Sequence, residues 1–197
     1  VLVAALMVPA SFLAAGGPWA WTAWAANMGT HMATPSTNLI GLKVVASYTP
    51  DTRSSRIRRG AGADPYAPWR AARQEVFKSR RPGFLVMVGL FLLLLARAVW
   101  GREAWQAATL SIGLIPVASA PSCYYFSIML CYGLLVGRWR GVAAGLNLYG
   151  ALGWLVVMIW PVHDERYTWL SALSVLYVVA VTARAAIKEE GREGEEN

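Results

Sequence analysis

The chain has 197 residues, of which 56% are hydrophobic and only 15% are charged. Soluble domains carry about a quarter charged residues, so this composition excludes an ordinary soluble protein. It predicts an all-α, polytopic transmembrane helical bundle with interfacial amphipathic helices. The net charge of +7 is compatible with nucleic acid, but no segment predicts a nucleic-acid-binding fold, so we expect no nucleic-acid partner.

The cysteines predict neither a disulfide nor a metal site. Cys123 and Cys131 lie within one apolar segment, and their spacing does not suit a bond across one helix or a set of metal ligands. The sequence also lacks a glycine-rich phosphate loop and a nucleophile-histidine-acid pattern. We therefore expect no metal and no cofactor.

Residues 1–15 are apolar but shorter than the roughly 20 residues of a full span, which predicts the end of a transmembrane helix. The chain begins within this run without a methionine, so we expect a chain truncated at its N-terminus. Residues 16–50 predict an interfacial helix and a polar loop. Pro18 starts a helix that carries Trp19, Trp21 and Trp24, side chains typical of the membrane interface.

Two short segments complete residues 16–50. The run from Thr34 to Gly41 cannot continue a helix and predicts a shaped loop. The apolar patch from Leu39 to Ala46 is too short to cross a membrane.

Residues 51–82 form the basic extramembrane loop of the prediction, with nine of the 18 basic residues and three acidic ones. Residues 67–81 place apolar side chains at helical spacing among arginines. This pattern predicts an amphipathic helix that lies on a lipid surface.

Residues 83–187 predict a transmembrane bundle of about five helices. Pro121 divides a stretch too long for one span, so we expect a tight hairpin of two short helices inside the bundle. The acidic tail, residues 188–197, predicts disorder. The expected spans are Phe84–Trp100, Trp105–Ser119, Ser122–Val136, Val142–Trp160 and Tyr167–Ile187, with a polar turn from Pro161 to Arg166.

Parity along these spans predicts that the polar elements share one side of the membrane. Residues 19–82, the Pro121 turn and the turn at His163 emerge together, and Trp139 emerges opposite. The arginines of the 32-residue loop favour a cytoplasmic position for that side, whereas those of the short loops favour the other orientation.

Two segments resemble the C-terminal part of C-type glycosyltransferases, the bacterial membrane proteins that use polyprenyl-phosphate-linked sugars. One runs from Asn27 through His31 to the sequence TPSTNLIGL, and the other is ASAPSCYYF around Pro121. The resemblance implies hexosyl or pentosyl transfer on the extracytoplasmic face. The chain departs from that group at two points. The acidic residue that such enzymes carry in an early loop would precede Val1, and the histidine often found beside the aromatic residue after the Pro turn is absent here, where Cys123-Tyr124-Tyr125 stands.

Candidate site residues follow from this interpretation. The candidates for substrate binding are polar or aromatic residues on the shared side: Asn27, His31, Asn38, Tyr124, Tyr125, His163 and Asp164. The candidates for phosphate binding are Arg56, Arg58, Arg59, Arg80 and Arg81, because the guanidinium fork matches phosphate oxygens. No catalytic residue is assigned.

Each candidate group also has a structural interpretation. Asn27 and His31 would anchor a helix among headgroups, and the arginines would attract anionic lipid at about 1 kcal/mol each. The cluster at His163 and Asp164 would be a wet turn between spans.

Two hypotheses result. The chain is the C-terminal part of a glycosyltransferase of the bacterial cytoplasmic membrane and cell envelope, which binds membrane lipids and a polyprenyl-phosphate-linked sugar. Alternatively, it is a non-enzymatic membrane scaffold or accessory subunit whose basic loop docks on lipid or on a partner.

Overall fold

The fold is taken from a computed structural model, which describes residues 9–12, 14, 17, 19–33, 35–57 and 64–187. The chain divides into two compact units, Val1–Pro35 and Ser36–Asn197. The described residues are mainly helical and include no strand, which confirms the predicted all-α class. The predicted acidic tail and the arginines Arg58 and Arg59 lie outside the described residues.

The first unit contains helix α1, Trp19–Ala33, where the sequence predicts a helix after Pro18. Trp21 donates its indole N–H to the Ser11 hydroxyl at 3.0 Å and packs edge to face on Trp24. The three tryptophans of this helix are exposed. Their place at a membrane interface stays a prediction.

The second unit contains seven further α-helices among its described residues. They are α2 (Leu42–Ala46), α3 (Ser54–Ile57), α4 (Ala67–Val99), α5 (Ala104–Ser111), α6 (Leu114–Ala118), α7 (Arg140–Ile159) and α8 (His163–Ala186). A short 3-10 helix covers Pro50–Thr52, and a longer one of 13 residues covers Cys123–Leu135. Helix α2, the patch predicted to be too short to cross, packs against α4 and α8 instead.

Among the described residues, three helices are long and apolar enough to cross a membrane, namely α4, α7 and α8. Their length and apolar composition indicate an integral membrane protein. Two shorter apolar segments, Ala104–Ala118 and Phe126–Leu135, occupy the region of the predicted hairpin. The predicted bundle of about five helices therefore consists of three long and two short members.

Helix α4 corrects the predicted boundary at residues 82 and 83. The amphipathic helix and the first span are one helix of 33 residues, with Pro82 inside it. A proline inside a helix removes one hydrogen bond and costs about 3 kcal/mol. An edge-to-face contact between Phe77 and Phe84 across the proline offsets part of that cost.

The amphipathic pattern predicted that the first turns of α4 lie on a lipid surface. The structure corrects this prediction, because part of these turns packs against protein. Trp69 and Arg73 are buried, and α4 packs against α2, α3 and α8. The face that the sequence assigns to a lipid surface therefore meets protein. The cause is long-range packing, which local periodicity does not encode.

The hairpin differs from its prediction in detail. Its first arm breaks between α5 and α6 because Pro116 has no N–H and its ring crowds the carbonyl of Ile112, four positions earlier. The second arm is a 3-10 helix. Leu110, Met129 and Tyr132 are almost fully buried, so the hairpin packs inside the bundle, as predicted.

Helices α7 and α8 pack closely along glycines. A Cβ atom on Gly145 would stand 3.3 Å from the Tyr177 ring, as small residues permit in membrane bundles. Helix α8 starts at His163, so the predicted polar turn through Arg166 is wrong beyond Val162. Asp164 and Glu165 in its first turn suit the positive end of the helix dipole.

The second unit has two ends. At the loop end, Ser54 contacts Asp164 and Leu39 pairs with Ser122. At the opposite end, Arg102 lies over the Trp139 ring at 5.1 Å and donates to the Ala185 carbonyl. Helix α8, about 36 Å long, separates these ends, so Ser54, Ser122 and Asp164 share one end of the unit and Trp139 lies at the other. Their placement on the two sides of a membrane stays a prediction.

Candidate binding cavity

The polar loop and the Pro121 turn are joined by backbone hydrogen bonds. Ile40 donates its N–H to the Pro121 carbonyl at 2.9 Å, and Cys123 donates to the Asn38 carbonyl at 2.8 Å. Gly41 then donates to the Ser171 hydroxyl of α8 at 3.0 Å. Gly41 has φ 123° and ψ 175°, a region that only glycine adopts readily. These hydrogen bonds hold the polar loop against the Pro121 turn and α8.

Asp164 fixes the start of α3 to the start of α8. Its two carboxylate oxygens accept hydrogen bonds from the Ser54 N–H at 2.7 Å and the Ser54 hydroxyl at 2.8 Å. Asp164 is 1% exposed. A buried carboxylate needs such donors, because desolvating the charge is otherwise costly.

Charged neighbours surround this contact. Arg53 Nε lies 2.6 Å from Glu165 Oε1 and also donates to the Tyr48 hydroxyl at 3.3 Å. The hydrogen bond with Tyr48 raises the pKa of Arg53 above its usual value. Arg70 pairs with Asp64, and this hydrogen bond holds the pKa of that carboxyl below its usual range.

Arg73 of α4 also lies near Asp164. Its guanidinium stacks over the Tyr48 ring at 5.2 Å and the Trp69 ring at 5.6 Å. One end of the fork, Nη2, donates to the Thr168 hydroxyl at 3.4 Å. The residue is 3% exposed, so this is a buried cation held mainly by aromatic rings.

A cavity of about 310 Å³ opens at the loop end. It lies within the size range of small-ligand pockets. Four segments of the chain form its walls: the polar loop, the start of α3, the residue before α4, and the start of α8. The lining residues are Thr37, Ser54, Ser55, Tyr66, Pro161, Val162 and His163.

The cavity wall combines hydroxyl groups and an imidazole with the apolar side chains of Pro161 and Val162, and its described lining carries no lysine, arginine or carboxylate. Hydroxyl groups and an imidazole both donate and accept hydrogen bonds. Such a lining suits a neutral ligand that carries several hydroxyl groups. Across the described residues no group of three or more His, Cys, Asp or Glu is placed to hold a metal ion.

The predicted substrate-binding residues do not all meet in this cavity. His163 lines it, and its neighbour Asp164 lies behind it with both oxygens held by Ser54, which favours a structural role. Asn38 accepts a hydrogen bond from Ser36 at 2.6 Å, and the Tyr124 side chain is exposed.

The other predicted substrate contacts stay predictions. Asn27 is exposed on α1 in the first unit. The backbones of His31 and Tyr125 are helical, while their side chains lie outside the described part of the structure.

The described members of the predicted phosphate group bind protein or stand exposed. Arg56 pairs with Asp51 at 3.0 Å. Arg80 donates to the carbonyls of Tyr48 and Ala46 at 2.9 and 3.3 Å, at the end of α2. Arg81 is exposed on α4.

Sequence reasoning missed Ser54, Ser55 and Tyr66 in the cavity wall, as well as buried Arg73. The available signal was weak: two adjacent serines in a basic loop, and a Trp69-Arg73 pair at helical spacing. Only the fold shows that these residues stand beside the start of α8.

The helices able to cross a membrane indicate an integral membrane protein, and its second unit has a cavity at one end. Searches of protein-family models, curated proteins and solved structures gave no match.

Proposed function

We propose that the chain is part of a membrane glycosyltransferase and binds the sugar of a polyprenyl-phosphate-linked donor in the cavity at the loop end. The observation that carries the proposal is the hydroxyl-rich wall formed by Thr37, Ser54, Ser55, Tyr66 and His163. A sugar ring offers hydroxyl groups that match such a wall, and an aromatic ring such as Tyr66 packs on its apolar face. The resemblance around Asn38 and Pro121 concerns segments that meet at this same end.

A lipid-linked donor fits the position of the cavity in the molecule. The wall residues lie at the start of α8 and before α4, two helices able to cross a membrane. A sugar bound there has its lipid tail beside the apolar surfaces of the same helices. Leu90 and Leu93 of α4 are among the exposed apolar side chains of that surface.

The test is the binding of a farnesyl-phosphoryl sugar to the full chain in micelles, measured by calorimetry. His163→Ala and Ser55→Ala should each weaken binding about fivefold, because each removes a hydrogen bond worth about 1 kcal/mol. Arg138→Ala, at the opposite end, is the matched control and should leave the affinity unchanged.

Equal affinity in all three variants would exclude the cavity as the sugar site. His31→Ala and Asn38→Ala test the two residues that the resemblance assigns. Equal affinity after both replacements would remove them from the site while leaving the cavity assignment in place.

A second candidate is the non-enzymatic scaffold with a basic docking surface. It is favoured by Lys78, Arg80 and Arg81, which are exposed in α4 directly before its apolar part. Such residues attract anionic lipid at about 1 kcal/mol each. This function predicts binding to phosphatidylglycerol vesicles that weakens steadily with salt. A strong preference for polyprenyl phosphate at matched charge would contradict it.

A further inference from the structure

Two buried donors on α4 have no acceptor among the described residues. They are the indole N–H of Trp69 and Nη1 of Arg73, one helical turn apart. The two residues are 1% and 3% exposed. An unpaired buried donor costs about 1–3 kcal/mol, and more when it is charged. Two unpaired donors on one face of a helix point to a bound ligand that accepts their hydrogen bonds.

Among the described residues, no carboxylate forms an ion pair with Arg73. Among the described side chains Asp164 is the nearby carboxylate that attracts Arg73, but the two form no ion pair within 4.0 Å. Both Asp164 oxygens already accept hydrogen bonds from Ser54. The first turn of α8 stabilises the Asp164 charge as well. Arg73 therefore retains the capacity to bind a further anion.

The two donors lie directly behind the cavity wall. Tyr66, which lines the cavity, packs edge to face on Trp69 with ring centroids 6.2 Å apart. Ser54, another lining residue, holds Asp164 beside Arg73. The Tyr66 ring therefore contacts both the cavity and the Trp69 ring.

We infer that Trp69 Nε1 and Arg73 Nη1 bind a phosphate oxygen of the ligand whose sugar occupies the cavity. The inference rests on the proposed function, and it adds the phosphate anchor of that site. A guanidinium nitrogen and an indole N–H both donate to phosphate oxygen, and the charge-assisted bond is the stronger. Arg73 takes the role that the sequence assigned to Arg56, Arg58, Arg59, Arg80 and Arg81.

The test uses farnesyl phosphate, which carries the lipid and the phosphate without a sugar, on the full chain in micelles. Trp69→Phe keeps the ring and removes the donor, and it should weaken binding about tenfold. Arg73→Lys keeps the charge and removes the fork, with a loss at least as large. Arg80→Gln and Trp154→Phe are controls on exposed positions and should stay within about twofold of the parent affinity.

A spectroscopic readout separates a phosphate from a bound water. The indole N–H resonance of Trp69, assigned by its loss in Trp69→Phe, should shift when farnesyl phosphate is added. Inorganic phosphate should produce the same shift at higher concentration, and farnesol should produce none. A shift with inorganic phosphate at equal or lower concentration than with farnesyl phosphate would assign the site to free phosphate and overturn the lipid source.

Three results would overturn the inference. The first is an unchanged affinity for farnesyl phosphate in Trp69→Phe, and the second is a loss of affinity confined to Arg80→Gln. The third is an indole N–H resonance that does not shift with phosphate, because a bound water accepts the hydrogen bonds of the donors. None of them affects the sugar test with His163→Ala, so failure here is distinguishable from failure of the proposed function. Trp69→Phe carries the test if Arg73→Lys does not fold.

Discussion

The two ends of the second unit differ in how deeply their charged side chains are buried. At the loop end Arg73 and Asp164 are buried, each beside a wall of the cavity. At the opposite end Arg138 and Glu103 pair on the surface, with side chains 61% and 58% exposed. Burying charge costs stability unless the surroundings replace water. The charges buried at the loop end therefore depend on compensating protein groups, whereas the pair at the opposite end lies on an ordinary polar surface.

The largest expected effect comes from Asp164→Ala. It leaves the Ser54 donors and the Arg73 charge without compensation, so we expect a loss of about 3–5 kcal/mol in the free energy of unfolding. Equilibrium unfolding in mixed micelles by SDS titration measures it. Asp164→Asn, which keeps one acceptor oxygen, should lose clearly less. A loss below about 1 kcal/mol for Asp164→Ala would show that the buried cluster does not support the fold.

Glycines at the two ends give the next comparison. A Cβ on Gly41 would lie 2.5 Å from the Pro116 carbonyl oxygen and 2.7 Å from that of Ser119. Gly41→Ala should therefore cost about 3 kcal/mol from backbone strain, with the clash in addition. Gly101 has φ 70° at the opposite end with open space around it, so Gly101→Ala should cost about 1 kcal/mol. Equal losses in the same SDS titration would mean that the loop is not held against the hairpin.

The smallest effects concern surface ion pairs. A double-mutant cycle on Arg138 and Glu103 should give a coupling within about 0.5 kcal/mol of zero. The Arg53–Glu165 pair is shorter, at 2.6 Å, and Glu165 is only 12% exposed, so its coupling should be larger and less sensitive to salt. The reverse order would contradict the contrast between the two ends.

Much of the fold followed from local sequence patterns. The hydrophobic spans predicted α4, α7 and α8, and Pro18 and Pro121 marked a helix start and a turn. Counting spans grouped Ser54, Ser122 and Asp164, and these residues share one end of the second unit, while the membrane side they face stays a prediction. The break at Ile112 was also open to prediction, since Pro116 lies four positions later.

The site was less predictable because its contacts join distant residues. The hydrogen bond between Ser54 and Asp164 spans 110 positions, and no periodicity encodes it. Arg73 looked like a lipid-facing arginine because an amphipathic pattern does not distinguish lipid from a neighbouring helix. The start of α8 at His163 was missed because charged residues in a first helical turn resemble a polar loop.

The most direct test of the central claim is photo-crosslinking with a polyprenyl-phosphate analogue that carries a diazirine near its phosphate. The full chain in nanodiscs would be irradiated and the adducts mapped by mass spectrometry, with a phosphatidylglycerol diazirine as the control lipid. We expect adducts within residues 37–73 and 161–168 for the polyprenyl phosphate, and their loss on addition of unlabelled farnesyl phosphate. Adducts centred on residues 100–105 and 136–139, or a pattern identical to that of phosphatidylglycerol, would contradict a specific site at the loop end.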